Sequence, residues 1–290
     1  MSFNFYILSS HACYFEDYVL SITNKFKLLN EYYKIIYYNI NEELIFKKED
    51  IHIFLQTFHQ CIFKDIHNNT FTLKNVINEY NIYIFNTEQL KIRNQHILNY
   101  SNNINYIEWS DCNISYYTNC LKSKVFVIPY QVNFNEILNK TKVNDVCMIT
   151  KRQSEYRLEI FNECKKIIPN ITSIVGFGNI RDELLFNHKI LINASLEPNC
   201  SILEQFRVNR CIYNRIIIIS DKKDDRENDF ILNKYIIYVE NYKDIPNTVK
   251  NVLDNYKLFY DKIYGNFDFE IEKIDNLFMK YLKKFIEKNK

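Results

Sequence analysis

Residues 189–220 read KILINASLEPNCSILEQFRVNRCIYNRIIIIS. The stretch opens on a short apolar run, 189–193, that ends in small polar residues, Ala194 and Ser195. A loop containing Pro198 follows, then a segment with helical spacing over 202–213. It closes on the strand 215–220, aliphatic over 216–219, which again ends in a small polar residue, Ser220. Short continuous apolar runs bounded by turn residues are what strands buried on both faces of a parallel sheet require. Strand, helix and strand in that order make an α/β unit.

The alternation continues outward. Residues 145–150 predict a strand, 153–167 a helix carrying Tyr156, Ile160, Cys164 and Ile167, 171–175 a strand, and 181–186 a helix. Beyond Ser220 come a strand at 235–239 and two helices, roughly 246–262 and 269–287. Toward the N-terminus, 3–9 reads as a strand opening into a loop. Residues 14–29 form a helix with Phe15, Val19, Ile22, Phe26 and Leu29 on one stripe. Strands at 34–38, 51–58, 82–85, 104–109 and 125–128 follow, with helices at 90–100 and between the last two strands. Residues 132–143 have no period and are the expected linker. The pattern predicts two α/β domains, 1–131 and 144–264, with parallel sheets facing a cleft. The terminal segment 265–290 carries the stripe Ile271, Ile274, Phe278, Tyr281, Leu282 and Phe285. It is expected to cross back onto the first domain, a helix on a membrane surface being the alternative.

A length of 290 residues fits two domains of about 100–200 residues each. With 47% hydrophobic and 25% charged residues, a disordered chain is excluded. The balance of 37 Lys+Arg against 35 Asp+Glu offers no field for nucleic acid and no polybasic membrane patch. Eight cysteines without a CxxC pair argue against a structural zinc site or a disulfide scaffold. Reduced thiols and a cytoplasmic location are expected. The start of the chain lacks the features of a signal peptide. The longest purely aliphatic run, 216–219, is far short of the ~20 residues of a spanning helix, so a soluble protein is expected. Only 3 glycines occur beside 23 Tyr and 22 Phe, a composition that looks like AT-rich coding. A surviving glycine therefore carries more weight than an aromatic cluster.

Ligands of open α/β sheets bind beyond the carboxyl ends of strands, so the residues there are the candidates. Gly176 and Gly178 bracket one strand-to-helix turn around Phe177. This is either a phosphate-binding turn that presents helix N–H groups to an anion or a turn that needs glycine for backbone reasons alone. Arg181 and Asp182 open the next helix, as an ionic site or as a solvated pair. Glu204 either completes a capping box with Ser201 or accepts hydrogen bonds from sugar hydroxyls. Arg207 shares its face, and Arg210 follows. In the first half, His11 and Glu88 follow strands. His11 suits proton transfer near neutral pH, or is an ordinary loop residue. Glu88 is alternatively a helix cap. The run 221–229, with Asp224 and Asp225, reads as a solvated loop. No P-loop, no GxSxG elbow, no metal-ligand spacing and no third glycine after Gly176-Phe177-Gly178 is present.

Lys151-Arg152 after the strand 145–149, the Gly176 turn with Arg181-Asp182, the strand Lys189-Ile190-Leu191-Ile192-Asn193, Glu204 with Arg207 and Arg210, and Ser220-Asp221 occur in one order. In that order the second half resembles the C-terminal domain of small GT-B glycosyltransferases, notably those of large DNA viruses and some bacteria. Looser echoes lie in 86–90 and 128–131, so that the resemblance covers roughly residues 80–260. It implies two Rossmann-like domains and transfer of a sugar from a nucleoside-diphosphate sugar, without metal or further cofactor. The donor would be held by Arg152, Gly176, Phe177, Gly178, Arg181, Asn193, Glu204, Arg207, Arg210 and Ser220. The first domain would present a glycan, protein or small-molecule acceptor, with His11 or Glu88 as base if the enzyme inverts. The sequence departs from the pattern at Ala194, where many relatives have His, and at Asp221, where many have Glu. Asn214 or Arg215 stands where a glycine is usual, and Glu197 and Glu204 lie one residue closer than the acid pair of one large retaining family. A sugar-nucleotide epimerase and a non-catalytic sugar-binding or scaffold protein are the alternatives.

Overall fold

The structure, a computed structural model, describes residues 1–40, 42–56, 62–64, 70–71, 79–87, 104–117, 122, 124–150, 154–198, 200, 202–223 and 231–290. The expected helix at 90–100 lies outside these residues. The chain divides into two units, residues 1–131 with 277–290, and residues 132–276.

The first unit is built on β1 (Phe3–Leu8), β2 (Tyr33–Tyr38), β3 (Glu43–Ile45), β4 (Ile51–Leu55), β5 (Ile62–Lys64), β6 (Thr70–Phe71), β7 (Asn81–Phe85), β8 (Asn105–Glu108) and β9 (Val125–Val127). Six of them form one sheet in the order β2-β1-β4-β7-β8-β9, every neighbouring pair parallel. The short strands β3, β5 and β6 form a second, three-stranded sheet that the sequence pattern does not announce. Helix α1 (Ala12–Leu28) follows β1 and buries Phe15, Val19, Ile22 and Phe26 of the expected stripe, together with Tyr18, while Leu29 is its C-cap residue and only partly buried. The ring of Phe26 lies 4.9 Å from Phe3.

The second unit contains β10 (Asn144–Ile149), α2 (Glu155–Ile167), β11 (Thr172–Ile174), α3 (Gly178–Leu185), β12 (His188–Asn193), α4 (Gln205–Tyr213), β13 (Ile217–Asp221), β14 (Ile236–Val239), α5 (Ile245–Asp254) and α6 (Tyr256–Tyr264). Its sheet is parallel throughout, in the order β11-β10-β12-β13-β14. The helix expected over 246–262 is two helices. Asn255 interrupts it, its Nδ2 donating to the Asn251 carbonyl at 3.0 Å, a local bond that competes with helix propagation. Helix α4 starts at Gln205, not at residue 202. Ile202 and Leu203, whose spacing suggests a helical face, lie buried in the loop before it instead. Residues 132–143, the expected linker, are strapped to this unit. Asn214 Oδ1 accepts from the Leu138 N–H at 2.8 Å and Asn214 Nδ2 donates to the Glu136 carbonyl at 2.8 Å. Lys140 pairs with Glu183.

Helix α7 (Phe267–Asn289) carries the chain back to the first unit, and its apolar stripe is buried apart from Tyr281, which is partly exposed. There Phe285 lies 5.1 Å from Tyr83 and 5.4 Å from Phe126, and Tyr83 donates its hydroxyl proton to Asn289 Oδ1 at 2.7 Å. No helix among the described residues is long and apolar enough to cross a membrane.

Both large sheets share one device. The chain runs from the first strand to a neighbour on one side, then places the next sheet strand on the other side. The reversal falls between β1 and β4 in the first unit and between β10 and β12 in the second. Helices that leave from opposite faces open a crevice at such a switch point, beyond the carboxyl ends of the strands.

Candidate functional site

In the second unit the switch point is framed by Thr150 after β10 and by Asn193, Ala194 and Ser195 at the end of β12. Parallel register sets Asn193 beside Ser220 on β13. Asn193 Nδ2 donates to Ser220 Oγ at 3.0 Å, and Ser220 Oγ donates to the Asn193 carbonyl at 3.0 Å. The Asn193 side-chain oxygen is thereby turned toward Arg207, whose Nη1 donates to it at 3.3 Å.

Arg207 stands on the first turn of α4, three residues after Glu204, which occupies the N-cap position. Glu204 Oε2 pairs with Arg207 Nη2 at 2.5 Å, and Glu204 Oε1 lies 3.6 Å from Arg157 Nη2. Arg157, on α2, is 4% exposed, and its Nε donates to the carbonyls of Ala194 and Ser195 at 3.0 and 3.1 Å. Burial, then the neighbouring Arg207, lower its pKa from the ordinary arginine value. The group holds two guanidinium ions and one carboxylate, a net positive charge at the strand ends. Arg207 and Glu204 are the accessible members, with side chains 19% and 35% exposed.

Behind them lies a second ion pair. Asp221, at the end of β13, accepts from the Ser195 N–H at 3.2 Å, from Tyr156 Oη at 3.1 Å and from Lys223 Nζ at 2.5 Å. Burial and the Asp221 charge raise the Tyr156 phenol. Lys223 Nζ also donates to Ser195 Oγ, and Ser195 Oγ donates to the Cys200 carbonyl at 2.8 Å. The adjacent serine and lysine are not a nucleophile and base. An ammonium paired with Asp221 has no lone pair to receive the serine proton.

The Gly176 turn has φ of +130° at Gly176 and +57° at Gly178, backbone that side-chain-bearing residues avoid. A Cβ at Gly178 would meet nothing within 4 Å, so open space adjoins the turn. Phe177 is the N-cap residue of α3.

The structure thus brings Asn193, Ser220, Glu204 and Arg207 together. Arg181 and Arg210 are engaged elsewhere. Asp182, for which a solvated pair is one of two readings, is 7% exposed and accepts from Arg181 Nε at 2.9 Å and from Arg210 Nη2 at 2.5 Å. Arg210 also donates from Nε to Glu136 Oε2 at 2.8 Å. Its charge is held between two acids, one of them in the strapped segment. Arg152, Glu88, Ser201, Asp224 and Asp225 lie outside the described residues. The run at 221–229 is not a solvated loop at its start, since Asp221 and Lys223 are 5% and 2% exposed. The capping-box reading of Glu204 is replaced as well, because Glu204 is itself the N-cap residue and its carboxylate is paired with arginines.

Two residues absent from the sequence reading complete the site, Arg157 and Lys223. The buried face of α2 is Arg157, Ile160 and Cys164, while Ile167 of the expected stripe is exposed. A charge three residues before Ile160 and seven before Cys164 sits at an apolar-face position, a signal for a buried ion.

In the first unit, His11 ends the single 3-10 turn after β1 and is the N-cap residue of α1. Its ring stands edge-on to Tyr14 and Phe15, and its Nδ1 is buried with no hydrogen-bond partner. At the end of β8, Glu108 is fully buried. It accepts from Asn86 Nδ2 at 2.9 Å, from Asn113 Nδ2 at 2.8 Å and from the Tyr117 hydroxyl at 2.5 Å. Burial pushes its carboxyl up to about 8 against the opposing pull of these donors. Among the described residues no group of three or more His, Cys, Asp or Glu gathers as a metal site would need.

The fold is similar to that of Anabaena Alr3699/HepE, solved in complex with UDP and glucose, with a TM-score of 0.62, 9% identity and 99% of each chain covered. It is similar also to the pneumococcal O-GlcNAc transferase GtfA in complex with UDP and GlcNAc. That likeness has a TM-score of 0.52 and 11% identity, and covers 92% of this chain and 59% of GtfA. The α/β architecture with two parallel sheets expected from the sequence, of the GT-B kind, is the one these structures share with the chain. No protein-family model matches. The uncharacterized protein R358 of Acanthamoeba polyphaga mimivirus is 26% identical over 194 residues, 64% of this chain and 67% of R358. A second uncharacterized protein of that virus, L140, is 30% identical over 255 residues, 83% of this chain and 77% of L140. The chain belongs to the family of mimivirus protein L140.

Proposed function

We propose that the chain is a glycosyltransferase that binds a nucleoside-diphosphate sugar in its second unit and transfers the sugar to an acceptor hydroxyl. One observation carries the reading. A partly accessible arginine, Arg207, is held by Glu204 and Asn193 at the switch point of a parallel sheet, with the buried Arg157 behind it. A fixed cation at strand ends suits a diphosphate better than a neutral sugar. The two solved structures of similar fold support the choice, since both hold UDP and a sugar.

In the reaction, the bond from the anomeric carbon to the diphosphate breaks and a bond to the acceptor oxygen forms. Arg207, with Arg152 and the amides beside Phe177, takes up the charge that grows on the leaving diphosphate, so this reading calls on no metal. The acceptor proton passes to a base, for which His11 and Glu88 are the candidates. Glu204 orients Arg207 and stays within reach of donor hydroxyls.

The test is a titration of the protein with UDP, GDP and TDP sugars, followed by product analysis with and without added acceptors. The reading expects at least one sugar nucleotide to bind, and Glu204→Ala to weaken it while the fold survives. Conversion of the donor to an isomer without acceptor identifies an epimerase. Absence of binding across the panel favours a non-catalytic sugar-binding or scaffold protein and ends the proposal.

A further inference from the structure

The loop between β12 and α4 has a cation that the donor reading leaves unused. Lys223 is 2% exposed and is ion-paired with Asp221. Its Nζ contacts Asp221 Oδ1 at 2.5 Å, Ser195 Oγ, and the Cys200 carbonyl at 3.4 Å. Ser195 adds its own bonds, from the N–H to Asp221 and from Oγ to the Cys200 carbonyl. Both ends of the bend from Ser195 to Cys200 therefore close on one ammonium. Arg157 holds the carbonyls of Ala194 and Ser195 from the other side. A lysine that served packing alone would be matched more cheaply by an apolar side chain, because burying an ion pair costs desolvation that its attraction hardly offsets.

We propose that Lys223 is a positioning residue. It pins the bend before any ligand arrives, so that Glu204 and Arg207, at the loop's far end, meet the diphosphate already in place. The part concerning the diphosphate rests on the donor reading above; the ordering of the loop does not. Asp221 is the fixed anchor, Lys223 the bridge, and Ser195 with the Cys200 carbonyl the bridged partners. Such pre-ordering removes the loop-fixing cost from ligand binding.

Two measurements on the full-length chain test this. Lys223→Met keeps the length of the side chain and removes the charge. Hydrogen–deuterium exchange of the free protein should then quicken about tenfold or more in peptides covering 194–204, with β10 and β12 unchanged. The affinity for UDP should fall by about tenfold through misplacement of Arg207. Ser195→Ala removes only the loop-side partner and should reproduce the local quickening in a milder form, which keeps the test open if Lys223→Met fails to fold. Unchanged exchange over 194–204 in both variants overturns the proposal. So does quickening spread evenly over 132–276, which would make Lys223 a general stabiliser. Wild-type protein that binds no UDP, GDP or TDP ends the donor reading instead, and the exchange data still judge Lys223.

Discussion

The two large sheets reverse their strand order in the same way, yet the chemistry at their carboxyl ends is opposite. The first unit gathers neutral donors, Asn86, Asn113 and Tyr117, around one buried acid, Glu108. The second gathers paired ions, with Arg157, Glu204 and Arg207 in front of Asp221 and Lys223. The backbones differ too. Among the described residues the first unit, which has no glycine, takes positive φ at Asn30 and Gln56; the second does so at Asn139 and Arg215 and also at Gly176 and Gly178, which share one turn. Topology supplies a crevice, and the side chains at the strand ends decide what it can hold. A net positive group with an accessible arginine recruits an anion, and a buried neutral acid does not.

Four substitutions press on this contrast. Arg157→Ala should have the largest effect. It leaves the buried carbonyls of Ala194 and Ser195 without their charged donor, while Glu204 keeps its pair with Arg207, and stranding a buried acceptor costs about 1–3 kcal/mol each. Urea unfolding should show the loss, and a change within about 0.5 kcal/mol would mean that these bonds are not structural. The next effect belongs to the first unit and depends on pH. The Glu108 carboxyl is raised to about 8, so the folded state keeps a proton that the unfolded state releases near its ordinary value of 4.5. Stability should therefore fall as pH rises between those values, by at most about 1.4 kcal/mol per pH unit. His52, lowered to about 4 by burial, has the opposite slope but only below its ordinary 6.5. Lys142, lowered to about 8 by burial, adds a rising slope near pH 8, so unfolding measured from pH 6.5 to 7.5 reports mainly Glu108, with a fall of roughly 1 kcal/mol expected and a flatter profile in Glu108→Gln. An equal slope in both proteins would remove Glu108 as the cause.

Smaller effects come from the backbone. Gly178→Ala places a side chain in left-handed backbone with free space around it, so only conformational strain is felt, about 1 kcal/mol. Gln56→Gly relieves the same kind of strain in the first unit and should stabilise it, by about 0.5 kcal/mol. Thermal midpoints moving in the same direction for both would refute the contrast in backbone.

How much of this was legible follows from what a one-dimensional pattern can carry. The alternation of apolar runs with helical stripes marks most sheet strands, because strands buried on both faces must be continuously apolar. The three-stranded sheet of β3, β5 and β6 is too short to leave a period. Asn193, Ser220, Glu204 and Arg207 could be read because they follow strands in order. Lys223 could not, since a Lys- and Asp-rich run reads as solvated unless the chain turns it inward, and Asp221 was legible as the acid after Ser220 but not as the partner of Lys223. Arg157 left a trace as a charge on an otherwise apolar face, and Glu108 another, as an acid inside the run 104–109. Arg181 and Arg210 show the converse: good spacing, but charges neutralised by Asp182 and Glu136.

The central claim is that the second unit holds a diphosphate through Arg207. Calorimetric titration of UDP into wild type, Arg207→Ala and Glu108→Gln tests it most directly. The account predicts binding to wild type, at least about tenfold weaker binding to Arg207→Ala, and wild-type affinity in Glu108→Gln. Equal affinity of Arg207→Ala and wild type for UDP would contradict it.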